Sequence, residues 1–224
     1  MKPIPLALML LALVVQSFAA EPAFTEDFGI DKTDLASTGR NPYFILEPGY
    51  QLFSQGEEGD LTITVLNETK MVVGIETGIV EERETEGGNL IEVSRNYFAI
   101  SKRHNGVFYF GEDVDMYDKS GKITGHGGSW LAGVGGAKPG LMMPGIPLLG
   151  ARFYQEVAPR LAMDRAEVVS VSDTRRVSAG SFDHVVKTEE TTPLGPGVKE
   201  YKYYAPGVGL IKDGDMELVR YGNR

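Results

Sequence analysis

Strand-length runs of alternating side chains are the feature that most constrains what this chain can fold into. Leu61, Ile63 and Val65 alternate with Thr62 and Thr64, a period of two that turns one set toward a core and the other toward water. Similar β-branched and aromatic runs occupy residues 71–75, 91–93, 107–110, 168–171, 183–186 and 199–204. After Ala19, no segment keeps helical spacing of apolar residues for three turns without a Gly or Pro.

The residues between these runs have the chemistry of tight turns. Asn105-Gly106 and Gly87-Gly88 suit two-residue hairpins, whose central residues need positive φ, and Ser120-Gly121 and Asp213-Gly214 are further candidates. Hairpins join antiparallel neighbours. We therefore predict an all-β protein of about nine to eleven strands, folded as a single antiparallel curved sheet or a partly closed barrel.

One segment, residues 125–150, breaks the alternating pattern. It is rich in Gly and Pro, and it also carries large apolar side chains such as Trp130 and Met142. A solvated linker would not carry those apolar residues, and a strand would not tolerate so much Gly and Pro. We interpret the segment as a long structured loop that caps a barrel mouth or a sheet face.

The start of the chain, residues 1–19, has the pattern of a signal peptide. Lys2 precedes an apolar run that is short for a membrane span, and Ser17 and Ala19 are the small residues required before a cleavage site. We expect a mature chain that begins at Ala20 or Glu21 and is periplasmic or secreted. Residues 20–41 are then a poorly ordered N-terminal arm, and residues 42–224 a single β domain.

Charge and composition narrow the classes of partner. The formal net charge is −9, and the chain has no Cys, so neither disulfides nor lipidation of an N-terminal Cys contributes. An acidic surface repels phosphate backbones and anionic lipids, which argues against nucleic-acid binding. No segment after the predicted signal peptide has an apolar run long enough to predict a transmembrane helix.

Several runs resemble a family of uncharacterised exported bacterial β-rich proteins. They are Asn41-Pro42-Tyr43-Phe44, Phe108-Tyr109-Phe110-Gly111-Glu112, Gly128-Ser129-Trp130-Leu131-Ala132-Gly133, Gly136-Ala137-Lys138-Pro139-Gly140 and Lys202-Tyr203-Tyr204-Ala205-Pro206-Gly207-Val208-Gly209-Leu210. The resemblance covers the chain from Asn41 to about Val219 and implies export and a β-rich fold, but no established activity. The last run also resembles the closing hairpin of half-barrel carriers of apolar ligands.

The Gly-rich segment holds the candidate ligand-binding residues. Trp130, Met142, Met143 and Leu148 could line an apolar cleft, since Met adapts its shape and Trp offers a broad face with one donor. The same residues would equally serve as a plug that fills a barrel end.

Two metals have candidate ligands. His104, His126 and His184, with Met142 and Met143, are of the types that bind copper, although no two of the histidines share a strand or turn. Calcium would use the acidic run at residues 112–118, where Asp113 and Asp115 would point to one face of a strand. The candidate metal ligands are Asp113, Asp115, Asp118 and His126. The alternative is a solvated hairpin end with ordinary polar side chains.

Catalytic signatures are absent from the sequence. Leu131 stands where a nucleophile elbow at Ser129 needs Gly, and Pro139 follows Lys138 where a phosphate-binding loop needs Ser or Thr. The acidic run at residues 81–86 is more typical of the solvent-exposed edge of a sheet than of a catalytic pair of carboxylates. We therefore predict no catalytic residues.

The favoured function is a soluble exported binding module that holds an apolar or amphiphilic ligand near the Gly-rich segment. The first alternative is a structural domain of the cell envelope that binds an envelope protein and no ligand. A third hypothesis is an exported protein that binds copper or calcium.

Overall fold

The computed structural model describes residues 23–195 and 197–223, and the predicted leader at residues 1–19 lies outside this part of the chain. One 3₁₀-helix, Lys32–Asp34, occurs here, and these residues include no α-helix. The strands are β1 (Leu35–Ala36), β2 (Gly39–Asn41), β3 (Phe44–Leu46), β4 (Tyr50–Gln55), β5 (Gly59–Val72), β6 (Ile75–Glu86), β7 (Asn89–Ser101), β8 (Val107–Tyr117), β9 (Ile123–Gly125), β10 (Trp130–Leu131), β11 (Lys138–Met143), β12 (Arg152–Tyr154), β13 (Glu156–Val157), β14 (Arg165–Val177), β15 (Gly180–Thr191), β16 (Glu200–Ala205), β17 (Gly209–Asp213) and β18 (Met216–Asn223).

Sixteen of these strands form one antiparallel sheet that is nearly closed into a barrel with one unsealed seam. Its main path runs β12-β14-β15-β16-β17-β18-β4-β5-β6-β7-β8-β11-β13, while β2 and β3 form a separate hairpin. The two ends of the path, β12 and β13, are consecutive in the chain with only Gln155 between them. The predicted all-β class and curved, partly closed antiparallel sheet are confirmed.

The strands are more numerous than the expected nine to eleven because many are only two or three residues long. Such short strands show no alternation and are invisible to a pattern of period two. The long strands follow the prediction: Leu61 and Val65 are buried and Ile63 half-buried, and all three line an interior cavity.

The predicted turns differ in how closely they match a two-residue hairpin. Gly87 and Gly88 join β6 to β7 with φ values of 54° and 82°, both in the left-handed region that this turn requires. Between β7 and β8 only Asn105 has positive φ, at 58°. The amide of Ser101 there donates to the carbonyl of Gly106 (2.9 Å), which makes a longer loop.

The described part of the N-terminal arm packs against the sheet, which differs from the poorly ordered arm expected for residues 20–41. Strand β1 pairs with β7, and the buried Asp34 carboxylate accepts hydrogen bonds from the Ser101 hydroxyl and the Arg103 amide. Gly78 makes room for the arm, because a Cβ there would lie 2.2 Å from the carbonyl oxygen of Ser37. Tertiary contacts of this kind have no local sequence signal.

The Gly-rich segment also contributes strands. It forms β10 and β11, and β11 pairs with β8 on one side and with β13 on the other. Gly140 permits that arrangement, since a Cβ on it would lie 2.0 Å from the carbonyl oxygen of Gln155. The remaining loop exposes Ile146, Leu148 and Leu149 to solvent.

The core draws its largest buried side chains from distant parts of the chain. Leu46, Tyr97, Phe110, Met143 and Tyr204 are each at most 2% exposed and come from five different strands. Each such side chain contributes about 1.5–3 kcal/mol when fully buried. Burial and hydrogen bonding hold this fold together without any disulfide.

Candidate functional site

The barrel contains a partly open cavity of about 220 Å³ that is lined by two chemically different sets of side chains. We call one the aliphatic side, formed by Leu52, Leu61, Ile63, Val65 and Val80. We call the other the polar end, formed by Glu82, Glu84, Lys202 and Asp213. A site of this composition can hold the apolar part of a ligand and interact with a polar group at the same time.

A second cavity, of about 170 Å³, lies beside the first and shares Glu82, Met142 and Lys202 with it. We call it the acidic cavity because five further carboxyl groups line it. These are Glu92, Glu112, Glu156, Asp164 and Glu190. With the three carboxyl groups of the polar end, eight carboxyl groups therefore line the two cavities, against the single cation of Lys202.

The strand period explains why glutamates face the interior. In β6, Val80, Glu82 and Glu84 line the cavities, while Glu81 faces outward and pairs with Arg83 at 3.4 Å and Arg95 at 3.1 Å. The prediction that residues 81–86 lie at a solvent-exposed edge is wrong, because β6 is an interior strand paired with β5 and β7. The same period brings Glu92 of β7 into the acidic cavity.

Lys202 is held by two of the carboxylates. Its Nζ lies 3.1 Å from Glu190 Oε2 and 3.4 Å from Asp213 Oδ2, and Glu190 foremost raises the pKa of this lysine well above its usual value. Glu190 Oε1 also accepts hydrogen bonds from Gln155 Nε2 at 3.0 Å and from the Thr188 hydroxyl at 3.2 Å. Lys202 and Glu190 thus form one buried, hydrogen-bonded network.

The other six lining carboxyl groups, of which Asp164 is exposed and the rest are half-buried, have no cation within ion-pair distance among the described residues. Burial is the main cause that raises the pKa of Glu82 to about 7, with a smaller effect from the charge of Glu84. Burial and then the charge of Glu82 raise the pKa of Glu112 to about 7. Burial likewise raises the pKa values of Glu84, Glu92, Glu156, Asp164 and Asp213.

Three tyrosines line the first cavity, and the two buried ones, Tyr50 and Tyr204, differ in their hydrogen bonding. The Tyr50 hydroxyl donates to the carbonyl oxygen of Val208 at 2.8 Å, and burial raises the pKa of this phenol to about 12. The Tyr204 hydroxyl is buried and has no hydrogen-bond partner in the described part of the protein. Tyr204 therefore places a buried phenol oxygen without a hydrogen-bond partner among the residues that line the cavity.

The structure brings one of the four predicted ligand residues to the cavities. Met142 lines both of them, and its sulfur accepts a hydrogen bond from Gln155 Nε2 at 3.7 Å. Met143 is packed in the core, and Leu148 is 65% exposed. Trp130 is buried behind the acidic cavity, edge-on to Tyr109 with ring centroids 5.3 Å apart.

The predicted metal ligands are distributed over separate contacts. Asp115 Oδ1 lies 3.0 Å from His126 Nδ1, which is also 2.9 Å from the carbonyl oxygen of Val114. Asp113 instead pairs with Lys70 at 2.8 Å, and Asp118 caps its own turn through Ser120. Among the residues that the structure describes, no group of three or more His, Asp or Glu could hold a metal ion.

The residues that define the polar end, and Tyr204 beside them, are not predicted from the sequence. Lys202 and Tyr204 lie within a quoted motif, but nothing local indicates which face of β16 is enclosed. The alternation of β6 and β7 was the available signal, since Glu82, Glu84 and Glu92 share the inward phase of their strands with residues such as Val80.

Comparisons with protein-family models, curated proteins and solved structures gave no match, so the family resemblance stays a prediction. Within residues 23–195 and 197–223, no helix is long and apolar enough to cross a membrane.

Proposed function

We propose that this protein is an exported binding module, periplasmic or secreted, whose barrel interior holds a small amphiphilic ligand. The observation that carries the proposal is the mixed lining of the cavity, in which aliphatic side chains such as Ile63 lie directly beside carboxyl groups such as Glu82. An apolar cavity of about 150 Å³ suffices to bind benzene, so the adjoining cavities of about 220 and 170 Å³ together have room for a molecule of two or three rings or for an alkyl chain. Export is supported by the signal-like pattern of residues 1–19.

A neutral fluorescent probe tests whether the cavity accepts apolar molecules. We expect N-phenyl-1-naphthylamine to gain fluorescence with the wild-type protein and to bind at least about tenfold more weakly to Ile63→Trp, which fills the aliphatic side. Thr62→Trp is the matched control, because Thr62 lies on the opposite face of the same strand. Circular dichroism would verify that both variants keep the strand content of the wild type.

Absence of probe binding, or equal binding by the two variants, would contradict the proposal. A sedimentation experiment in which size grows with concentration, together with no probe binding, would favour the envelope-domain alternative. Trp130 is the only tryptophan and packs on Tyr109 of the acidic cavity, so its emission provides a second readout of an occupant there.

A further inference from the structure

We propose that the polar end binds the amino group of a cationic amphiphile whose apolar part occupies the aliphatic side, an inference that rests on the proposed function. The ligand class is an amine joined to a ring or short alkyl chain.

The balance of charge in the interior supports a cation. Eight carboxyl groups line the two cavities, and among the described residues only Glu190 and Asp213 of these have an ion-pair partner, which is Lys202 for both. Glu82 lines both cavities and has no cation within ion-pair distance among the described residues. Glu82 is half-buried, so its ionised form is partly desolvated without a compensating cation, and a bound ammonium group supplies the missing charge.

The hydroxyl of Tyr204 is an independent sign of a missing ligand. The residue is 2% exposed and lines the same cavity as Glu82, and its oxygen has no hydrogen-bond partner in the described part of the chain. An ammonium group has three N–H donors and no acceptor. The phenol oxygen of Tyr204 and the carboxylate oxygens of Glu82 and Asp213, which line the same cavity, are acceptors of the kind that such a group requires.

An anionic head group fits this site poorly. Lys202, the one cation that lines the two cavities among the described residues, is already shared by two carboxylates at 3.1 and 3.4 Å. A ligand carboxylate would compete with both of them and would face the charges of Glu82 and Glu84. Repulsion between like charges in a buried site costs far more than it does in water.

The protonation of the interior agrees with this assignment. Burial raises the pKa values of Glu82 and Glu112 to about 7, so below this pH these groups hold protons that an arriving cation would displace, and at pH 8.0 they are mostly ionised. Charged groups act on Glu82 from several strands. They are Glu84 of β6, Glu92 of β7, Glu112 of β8, Lys202 of β16 and Asp213 of β17.

Three ligands with the same alkyl chain test the inference. We measure displacement of N-phenyl-1-naphthylamine by octylamine, 1-octanol and octanoate at pH 8.0. We expect octylamine to bind at least about tenfold more tightly than octanol, and octanoate to bind most weakly. Equal or tighter binding of octanol or octanoate overturns the cation assignment but leaves the proposed function standing. Failure of the probe to bind contradicts both the cation assignment and the proposed function.

Neutral substitutions locate the charge that is responsible. Glu82→Gln keeps the shape of the side chain, and we expect it to reduce the preference for octylamine over octanol at least threefold. Glu81→Gln is the matched control, because Glu81 is the outward neighbour on the same strand, and it should keep the wild-type preference. An unchanged preference in Glu82→Gln, or an equal loss in both variants, overturns the inference.

The pH dependence of ligand affinity is a further test, because the affinity would not change with pH if the carboxyl groups had only a structural role. Between pH 8.0 and pH 5.5 the interior carboxyl groups gain protons, while octylamine stays charged and octanol neutral. We expect octylamine affinity to fall several-fold and octanol affinity to stay constant. Octylamine affinity that is constant or rises on acidification contradicts the proposal.

Discussion

At the scale of single residues, the cavity wall contains two buried phenols with opposite roles. Tyr50 donates to the carbonyl of Val208 and so joins β4 to the loop before β17, whereas the hydroxyl of Tyr204 has no partner among the described residues. A satisfied buried hydroxyl stabilises a fold, and an unsatisfied one destabilises it by about 1–3 kcal/mol. The difference is what is expected when one phenol serves the fold and the other serves a ligand.

Phenylalanine substitutions separate these roles. We expect Tyr204→Phe to raise the free energy of unfolding of the free protein by about 1 kcal/mol, because it removes an unpartnered polar atom and keeps the ring. Tyr50→Phe should lower that free energy by about 1–2 kcal/mol, since it leaves the Val208 carbonyl without its donor. Urea unfolding followed by circular dichroism measures both, and a Tyr204→Phe variant as unstable as Tyr50→Phe would contradict the assignment.

At the scale of strands, the closure of the barrel depends on close approach at the seam. The backbone of β11 comes so near to Gln155 that Gly140 has no space for a Cβ. Gln155 in turn carries a buried amide that donates to Glu190 and to the sulfur of Met142. The last strands of the sheet are therefore held by a residue that also belongs to the cavity wall.

A methyl group at Gly140 should push the backbone of β11 away from that of Gln155. We expect Gly140→Ala to lower the free energy of unfolding by about 1–3 kcal/mol, because backbone atoms cannot rotate out of the way as a side chain does. Gly127→Ala is the control, as a Cβ there meets nothing within 4 Å, and its effect should stay within about 0.5 kcal/mol. Thermal unfolding compares them, and equal midpoints would show that the seam tolerates extra volume.

At the scale of the whole molecule, the interior carboxyl groups link stability to pH. Their pKa values rise on folding, so the folded protein binds more protons than the unfolded chain between the two values. Stability must then decrease as pH rises through that interval. Carboxyl groups whose pKa values fall on folding, such as Asp113 and Glu189, act in the opposite sense but at lower pH.

We therefore expect the free protein to be more stable at pH 5 than at pH 7.5. For one carboxyl group whose pKa rises from 4.5 to about 7, the loss reaches up to about 3 kcal/mol, and coupling between Glu82 and Glu112 makes their effects non-additive. The variant Glu82→Gln/Glu112→Gln should gain stability at pH 7.5 and show a flatter profile. Urea unfolding at both pH values measures this, and wild-type stability that is constant or rises toward pH 7.5 refutes it.

Local patterns in the sequence were enough to predict the class of fold. Alternation in β5 and the paired glycines between β6 and β7 predict antiparallel ribbons, and the structure has both. The placement of the site was not predictable in this way. The acidic run around Glu82 predicts a solvent-exposed edge, and the Gly-rich segment predicts either a cleft or a plug at Trp130, whereas β6 is an interior strand and Trp130 packs behind Tyr109.

By itself the sequence determined which residues alternate and where the chain turns, because strand periodicity and positive φ depend on neighbouring residues alone. Only the tertiary structure decided which phase of each strand is enclosed, which strand lies at an edge and where the sheet closes. Those outcomes depend on pairings between strands far apart in the chain, such as β4 with β18 and β8 with β11. The cavity, with its aliphatic and charged lining residues, forms only when those strands pair.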